Sequence, residues 1–179
     1  AFFNSPYPAH RLMTGLDIYT DTWFGDTYPS PVSGAIVNVR KVKAPVGRLF
    51  KDAGYDSIIV IKSEENPERV VKILHIDTDL TPGDRIKIGD ELGVMLRSGY
   101  FSFHTPAHAH VEIRPLDDQL RVRGGCRIRS LLELKEIDQI KELKGTISSS
   151  NLEVARVQLD NVRGEGLPVE VDGRLGILD

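Results

Sequence analysis

Ser57-Ile58-Ile59-Val60-Ile61-Lys62-Ser63, then Glu64-Glu65-Asn66-Pro67-Glu68, then Arg69-Val70-Val71-Lys72-Ile73-Leu74-His75-Ile76 run one after another in the chain. Two runs of β-branched residues around a polar, proline-bearing turn predict an antiparallel hairpin, because branched side chains suit a pleated surface and Asn-Pro suits a reversal. Upstream, Gly34-Ala35-Ile36-Val37-Asn38-Val39-Arg40 is a third such run, separated from the hairpin by the turn-rich Pro45-Val46-Gly47 and Gly54-Tyr55-Asp56. Nothing between Ser33 and Ser63 carries a helical period. Downstream, Asp77-Thr78-Asp79 ends the hairpin, and Pro82-Gly83-Asp84-Arg85-Ile86-Lys87-Ile88-Gly89-Asp90-Glu91-Leu92-Gly93 alternates very short strands with glycine turns. Many short strands at close spacing predict a mainly β fold, an antiparallel sandwich or barrel-like sheet.

The chain has 179 residues, 40% of them hydrophobic, enough for one domain with an appendage and a core that needs no covalent staples. A net charge of −3 offers no whole-chain attraction for nucleic acid or an acidic membrane, so neither is expected as a partner. No apolar run approaches the roughly 18 residues of a membrane span. The single cysteine, Cys126, excludes an internal disulfide and fits a reducing compartment. Ala1-Phe2-Phe3-Asn4-Ser5-Pro6 lacks the basic start and long apolar stretch of a signal peptide and does not begin with methionine. The expectation is a trimmed or processed chain, cytoplasmic unless it is a mature exported form.

The character changes after Pro115, which divides the chain into a β domain, 1–115, and a C-terminal α+β extension, 116–179. Arg121-Val122-Arg123-Gly124-Gly125 reads as a linker, and the arginines at 121, 123, 127 and 129 as its solvated basic face. Ile128, Leu131, Leu132, Leu134, Ile137, Ile140 and Leu143 recur at three- and four-residue spacings and predict an amphipathic helix that Gly145 stops. Leu152 to Leu159 alternates as a strand does, and residues 167–178 read as a hairpin around Asp172-Gly173.

Three of the five histidines, His104, His108 and His110, fall within seven residues, and the last two lead into Val111-Glu112-Ile113-Arg114. A strand's period of two aims the imidazoles of His108 and His110 at the same side of a sheet. Neutral imidazole is the commonest metal ligand and the usual general base near neutral pH, so the pair points to metal or acid–base chemistry. Glu112 is assigned to the opposite face and to a structural role.

Taken in order, Gly15-Leu16-Asp17-Ile18, Ser30-Pro31-Val32-Ser33-Gly34-Ala35-Ile36-Val37, Leu74-His75-Ile76, Pro82-Gly83-Asp84-Arg85-Ile86-Lys87-Ile88-Gly89 and His108-Ala109-His110-Val111-Glu112-Ile113-Arg114 resemble the lysostaphin/LytM-type zinc endopeptidases. The resemblance spans roughly His10 to Pro115. It implies an antiparallel β fold of the duplicated-hybrid-motif type with a groove across one face, a peptide or cell-wall-like polymer in that groove, and a zinc ion. It implies Asp17 and His110 as metal ligands and His75 and His108 as catalytic, non-ligand histidines. Three protein ligands and an open position on zinc bring a water toward a pKa of about 7.

The departure from the family pattern is Met13, four residues before Asp17, where the first ligand histidine belongs. A thioether suits copper(I) and serves zinc poorly. His10 is the expected substitute ligand if the Arg11-Leu12 segment bulges, because an odd offset along a regular strand faces the wrong way. His104 is a second candidate. The expectation is therefore a family member with an incomplete zinc site, working as a binding or regulatory module. The alternatives are an active zinc endopeptidase using His10, and a phosphoryl-transfer domain with His75 as acceptor, since Ile73-Leu74-His75-Ile76-Asp77-Thr78 also looks like the active-site strand of sugar phosphotransferase IIA domains.

Overall fold

In the computed structural model, which describes residues 7–103, 105–129, 144–150, 155–160, 167–171 and 174–178, the helical turn α1 (Pro8–Arg11) precedes an unbroken series of strands. These are β1 (Gly15–Ile18), β2 (Thr27–Pro29), β3 (Gly34–Lys43), β4 (Tyr55–Ser63), β5 (Arg69–Leu74), β6 (Ile76–Asp77), β7 (Arg85–Ile86), β8 (Glu91–Met95) and β9 (Ala109–Pro115). The expected hairpin is β4–β5, antiparallel with Ile61 opposite Val71 and Ile59 opposite Ile73. It sits mid-sheet in a six-stranded order, β1-β9-β5-β4-β3-β7, with β2-β8-β6 forming a second, three-stranded sheet. All the pairings are antiparallel, so the mainly β, sandwich-like architecture is as the alternation predicts.

The core follows from strand parity. Ile59, Ile61, Val71, Ile73, Ala109 and Val111 point from the large sheet toward Tyr28, Ile76, Leu92 and Met95 of the small one, and together they form one buried apolar cluster. The expected strand from Arg69 to Ile76 is broken at His75. That residue takes φ +74, a left-handed conformation disfavoured for any side chain with a Cβ, and the chain steps there from the large sheet into the small one.

The chain divides into two compact units, Ala1–Ile128 and Arg129–Asp179, so the boundary lies beyond the Pro115 expected from composition. The reason is a buried arginine. Arg114, fully buried, donates from Nε to the Asp118 carbonyl and from Nη2 to the Arg123 carbonyl, while Cys126 N–H reaches Ile113 O and Ile128 N–H reaches Met13 O. Residues 116–128 thus complete the first unit. In the second, β10 (Gly145–Ser150) pairs with β11 (Ala155–Leu159), and β12 (Leu167–Val171) with β13 (Arg174–Leu178), antiparallel in both cases. The second pairing is the expected hairpin, although its Asp172-Gly173 turn lies outside the described residues; β10, by contrast, occupies a stretch read only as a helix stop. The helix expected up to Leu143 lies almost wholly outside the described residues. No helix among them is long and apolar enough to cross a membrane.

Ile73 has no exposed surface and stands at the centre of the cluster. Ile73→Ala should cost about 2–5 kcal/mol of folding stability, read from the urea midpoint at unchanged slope.

Candidate functional site

β1 is the edge strand beside β9, and their register sets Asp17 directly opposite His110 and Gly15 opposite Glu112. Cross-strand neighbours on one face lie within side-chain reach, and His110 Nδ1 is 3.0 Å from Asp17 Oδ1. Gly15 makes this possible: a Cβ there would lie 2.7 Å from His110 Cε1 and 3.0 Å from the Ala9 Cβ.

His10 arrives from a helical turn, so the parity argument against it does not apply. Pro8 opens the turn, Met13 N–H closes on the His10 carbonyl, and Met13 adopts φ +56 before the chain extends into β1. The Thr14 backbone and hydroxyl both donate to the Ala9 carbonyl. This tight reversal brings His10 Nε2 to 3.2 Å from Asp17 Oδ1, and the His10 and His110 rings meet edge-on at 4.7 Å. Met13 Sδ instead lies 3.9 Å from Arg127 Nη2. His10, Asp17 and His110 each offer one ligand atom, all within 4.8 Å of one another, and the three side chains are nearly or fully buried.

His108 and His75 stand beside this trio. The His75 ring is 5.7 Å from that of His108 and 6.4 Å from that of His110, and Phe101 packs against both His75 and His108. Asp56, fully buried, sits 2.7 Å from His75 Nδ1 through Oδ2, accepts from the Ser98 hydroxyl on the same oxygen, and accepts the His75 backbone N–H on Oδ1. Although burial opposes the charged form, His75, Ser98 and the Ser57 N–H hold the Asp56 carboxyl below its ordinary range. An ionised Asp56 places the ring proton of His75 on Nδ1 and leaves Nε2 as the basic nitrogen. His108 Nδ1 lies 2.9 Å from the Pro106 carbonyl, which puts its proton there too, with Nε2 3.6 Å from Asp17 Oδ2. Burial lowers the His108 pKa to about 4, so this ring is neutral at neutral pH.

Glu112 does not face away. Positions 108, 110 and 112 share one parity, and Glu112 Oε1 comes within 3.4 Å of His110 Nε2. It also accepts from Lys72 Nζ at 2.8 Å, while Oε2 accepts from Arg114 Nη1 at 2.6 Å. His110 lies between two carboxylates. Burial disfavours its charged form, but Asp17 and Glu112 outweigh burial and raise its pKa. Asp17 is held well below the usual carboxylate range, burial being overcome by His10, His110 and His108.

This donor set fits a divalent transition metal. Two imidazole nitrogens and a carboxylate oxygen converge, two of them on different nitrogens of their rings, and the second nitrogen of His110 already has a carboxylate behind it. In the absence of a cation, two imidazoles crowd one carboxylate oxygen and each must bring a proton to it; a cation among the three takes over that role. His104 lies outside the described residues. Asp56 and Glu112 are site residues the sequence reading missed; for Glu112 the signal was present, since parity alone puts it with His108 and His110. No comparable signal marked Asp56, which reaches the site across the sheet from β4.

The family described as Domain of unknown function (DUF8155) N-terminal domain matches residues 1–130. No curated protein and no solved structure matches the chain.

Two outcomes follow from the geometry. Gly15→Ala drives a methyl into the His110 ring and Ala9 and should cost about 1–3 kcal/mol of stability, measured by urea unfolding. Asp56, with a depressed folded pKa, contributes stability that is complete above the ordinary 3.8 and lost as pH falls through the folded value. Asp56→Asn should therefore flatten the acid limb of the stability curve below that pH.

Proposed function

This chain belongs to the family described as Domain of unknown function (DUF8155) N-terminal domain, and we propose that its first unit is a zinc-dependent hydrolase of the lysostaphin/LytM peptidase type, with His10 replacing the missing ligand at Met13. The observation that carries this reading is the convergence of His10, Asp17 and His110, with His10 Nε2 at 3.2 Å and His110 Nδ1 at 3.0 Å from Asp17 Oδ1, beside a second pair of histidines. His10, Asp17 and His110 would hold the ion. Bound there, zinc supplies Lewis acidity, polarising a carbonyl and lowering the pKa of water.

The protein's own groups do the rest. Asp56 orients His75 and offsets the charge that arises when Nε2 accepts a proton from the attacking water. That proton then passes from Nε2 to the leaving amide nitrogen as the C–N bond breaks, which balances the hydrolysis. His108, neutral and fixed by the Pro106 carbonyl, offers Nε2 as a hydrogen-bond acceptor next to Asp17. Phe101 and Tyr19 pack on these rings and keep bulk water from them. The substrate class in this reading is a peptide or a cell-wall-like polymer, in the groove that the resemblance implies.

The reading as a degenerate binding module draws on Met13 and on the C-terminal element without a catalytic signature; His10 at 3.2 Å from Asp17 weakens the first support. Phosphoryl transfer through His75 is disfavoured by charge: Asp17, Asp56 and Glu112 crowd the cluster, and the nearby cations Lys72 and Arg114 are already bound to Glu112.

Purified chain incubated with zinc and desalted should retain one ion, by elemental analysis. His10→Ala, Asp17→Ala and His110→Ala should each lose it, Met13→Ala should keep it, and peptide hydrolysis should be abolished by a chelator. A chain that stays metal-free overturns the proposal; a tightly held ion with no hydrolysis of any peptide supports the binding module instead.

A further inference from the structure

Behind the histidines lies a buried charged array that the catalytic reading does not use. Lys72, Glu112 and Arg114 project from one face of β5 and β9, Lys72 directly opposite Glu112 in the register, and all three are almost or fully buried. Lys72 Nζ and Arg114 Nη1 clasp the two oxygens of Glu112 separately, and Asp118 completes the partnering of Arg114 at 3.1 Å. Two cations on separate oxygens fix the carboxylate plane, and His110 together with Lys72 lowers its pKa to about 2 against the effect of burial. Such an array is costly to desolvate and is weak evidence of a stabilising purpose, since apolar residues of similar volume often serve as well.

What distinguishes it is the third contact of Oε1, with His110 Nε2 at 3.4 Å. We infer that Glu112 is a positioning residue for His110: held by Lys72 and Arg114, it keeps a proton on Nε2, so that Nδ1, which donates to Asp17 in the metal-free chain, is the nitrogen that gives up its proton to face a metal. A carboxylate is an acceptor only, so Nε2 facing it must be the donor. Gly15, opposite Glu112, lets the ring lie flat against β1, where a methyl would come 2.9 Å from Nε2. His110 thus has its position limited by a glycine, its Nε2 proton held by Glu112, and its Nδ1 aimed at Asp17. Carboxylates behind ligating imidazoles commonly raise metal affinity in this way. The inference rests on reading His110 as a ligand, but its first consequence, the position of a proton, holds with or without metal.

The test is nitrogen NMR on full-length chain with 15N-labelled imidazoles, metal-free and with one equivalent of zinc at neutral pH. In the native protein His110 Nε2 should carry a proton in both states. Lys72→Met keeps the acceptor and should keep that signature; Lys72→Met combined with Glu112→Met removes the acceptor without stranding the lysine. The double variant should populate the Nδ1–H form when metal-free and bind zinc about 10–100-fold more weakly than Lys72→Met, in competition with a chromophoric chelator. A native His110 with Nε2 bare overturns the inference, as does equal zinc affinity in the single and double variants. If the chain takes up no zinc, the hydrolase reading fails while the native tautomer still decides the role of Glu112; if the double variant does not fold, the same native measurement decides.

Discussion

The antiparallel register of β1 on β9 is the constraint on which the rest depends. It is only four residues long, yet it sets Asp17 across from His110 and Gly15 across from Glu112. One step of slippage would turn Asp17 to the other face and present Leu16 to the histidine, because side chains alternate along a strand. Several features pin the register. Ile18 and Leu16 lie across from Ala109 and Val111, which belong to the apolar cluster, and Thr14 is tied back to Ala9 immediately upstream. The turn that carries His10 is part of the same knot, so His10, Asp17 and His110 are brought together by local chain reversals at one edge of the sheet.

The large sheet presents two unlike faces. One is the apolar cluster shared with β2, β6 and β8; the other, along β5 and β9, is charged yet buried, with the carbonyls of Arg121 and Arg123 meeting Lys72 and Arg114. Burying Lys72, Glu112 and Arg114 together works only because every oxygen and nearly every N–H of the array has a partner in the protein. That side of the sheet ends at the histidines. Hydrophobic burial holds the sandwich together, and the polar face carries its buried charges.

Much of this was legible in the residues. The β-branched runs mark β3, β4 and β5, and Asp17, His75, His108 and His110 stand in the sequence as candidates that the fold brings together. Three things were not. His10 is legible as the substitute candidate but its route is not: the sequence reading asks for a bulge, whereas Pro8 begins a helical turn, and a single turn of four residues has too little periodicity to announce itself. The break at His75 was hidden because β5 and β6 read as one apolar run; only a left-handed residue between them reveals the change of sheet. The extent of the first unit was misjudged because Arg121 to Gly125 has the composition of a linker, while its backbone carbonyls are what a distant guanidinium needs. Glu112 was legible and misread, since counting by twos from His108 includes it.

The clasp of Arg114 on the carbonyls of Asp118 and Arg123 has a consequence for how this chain can be cut and recombined. A side chain with no exposed surface whose partners lie up to nine residues downstream makes those residues inseparable from it. The portable piece that carries the site therefore runs to Ile128, and a graft ended at Pro115 would strand a cation in the interior. The apparent tether is the inner lining of the domain.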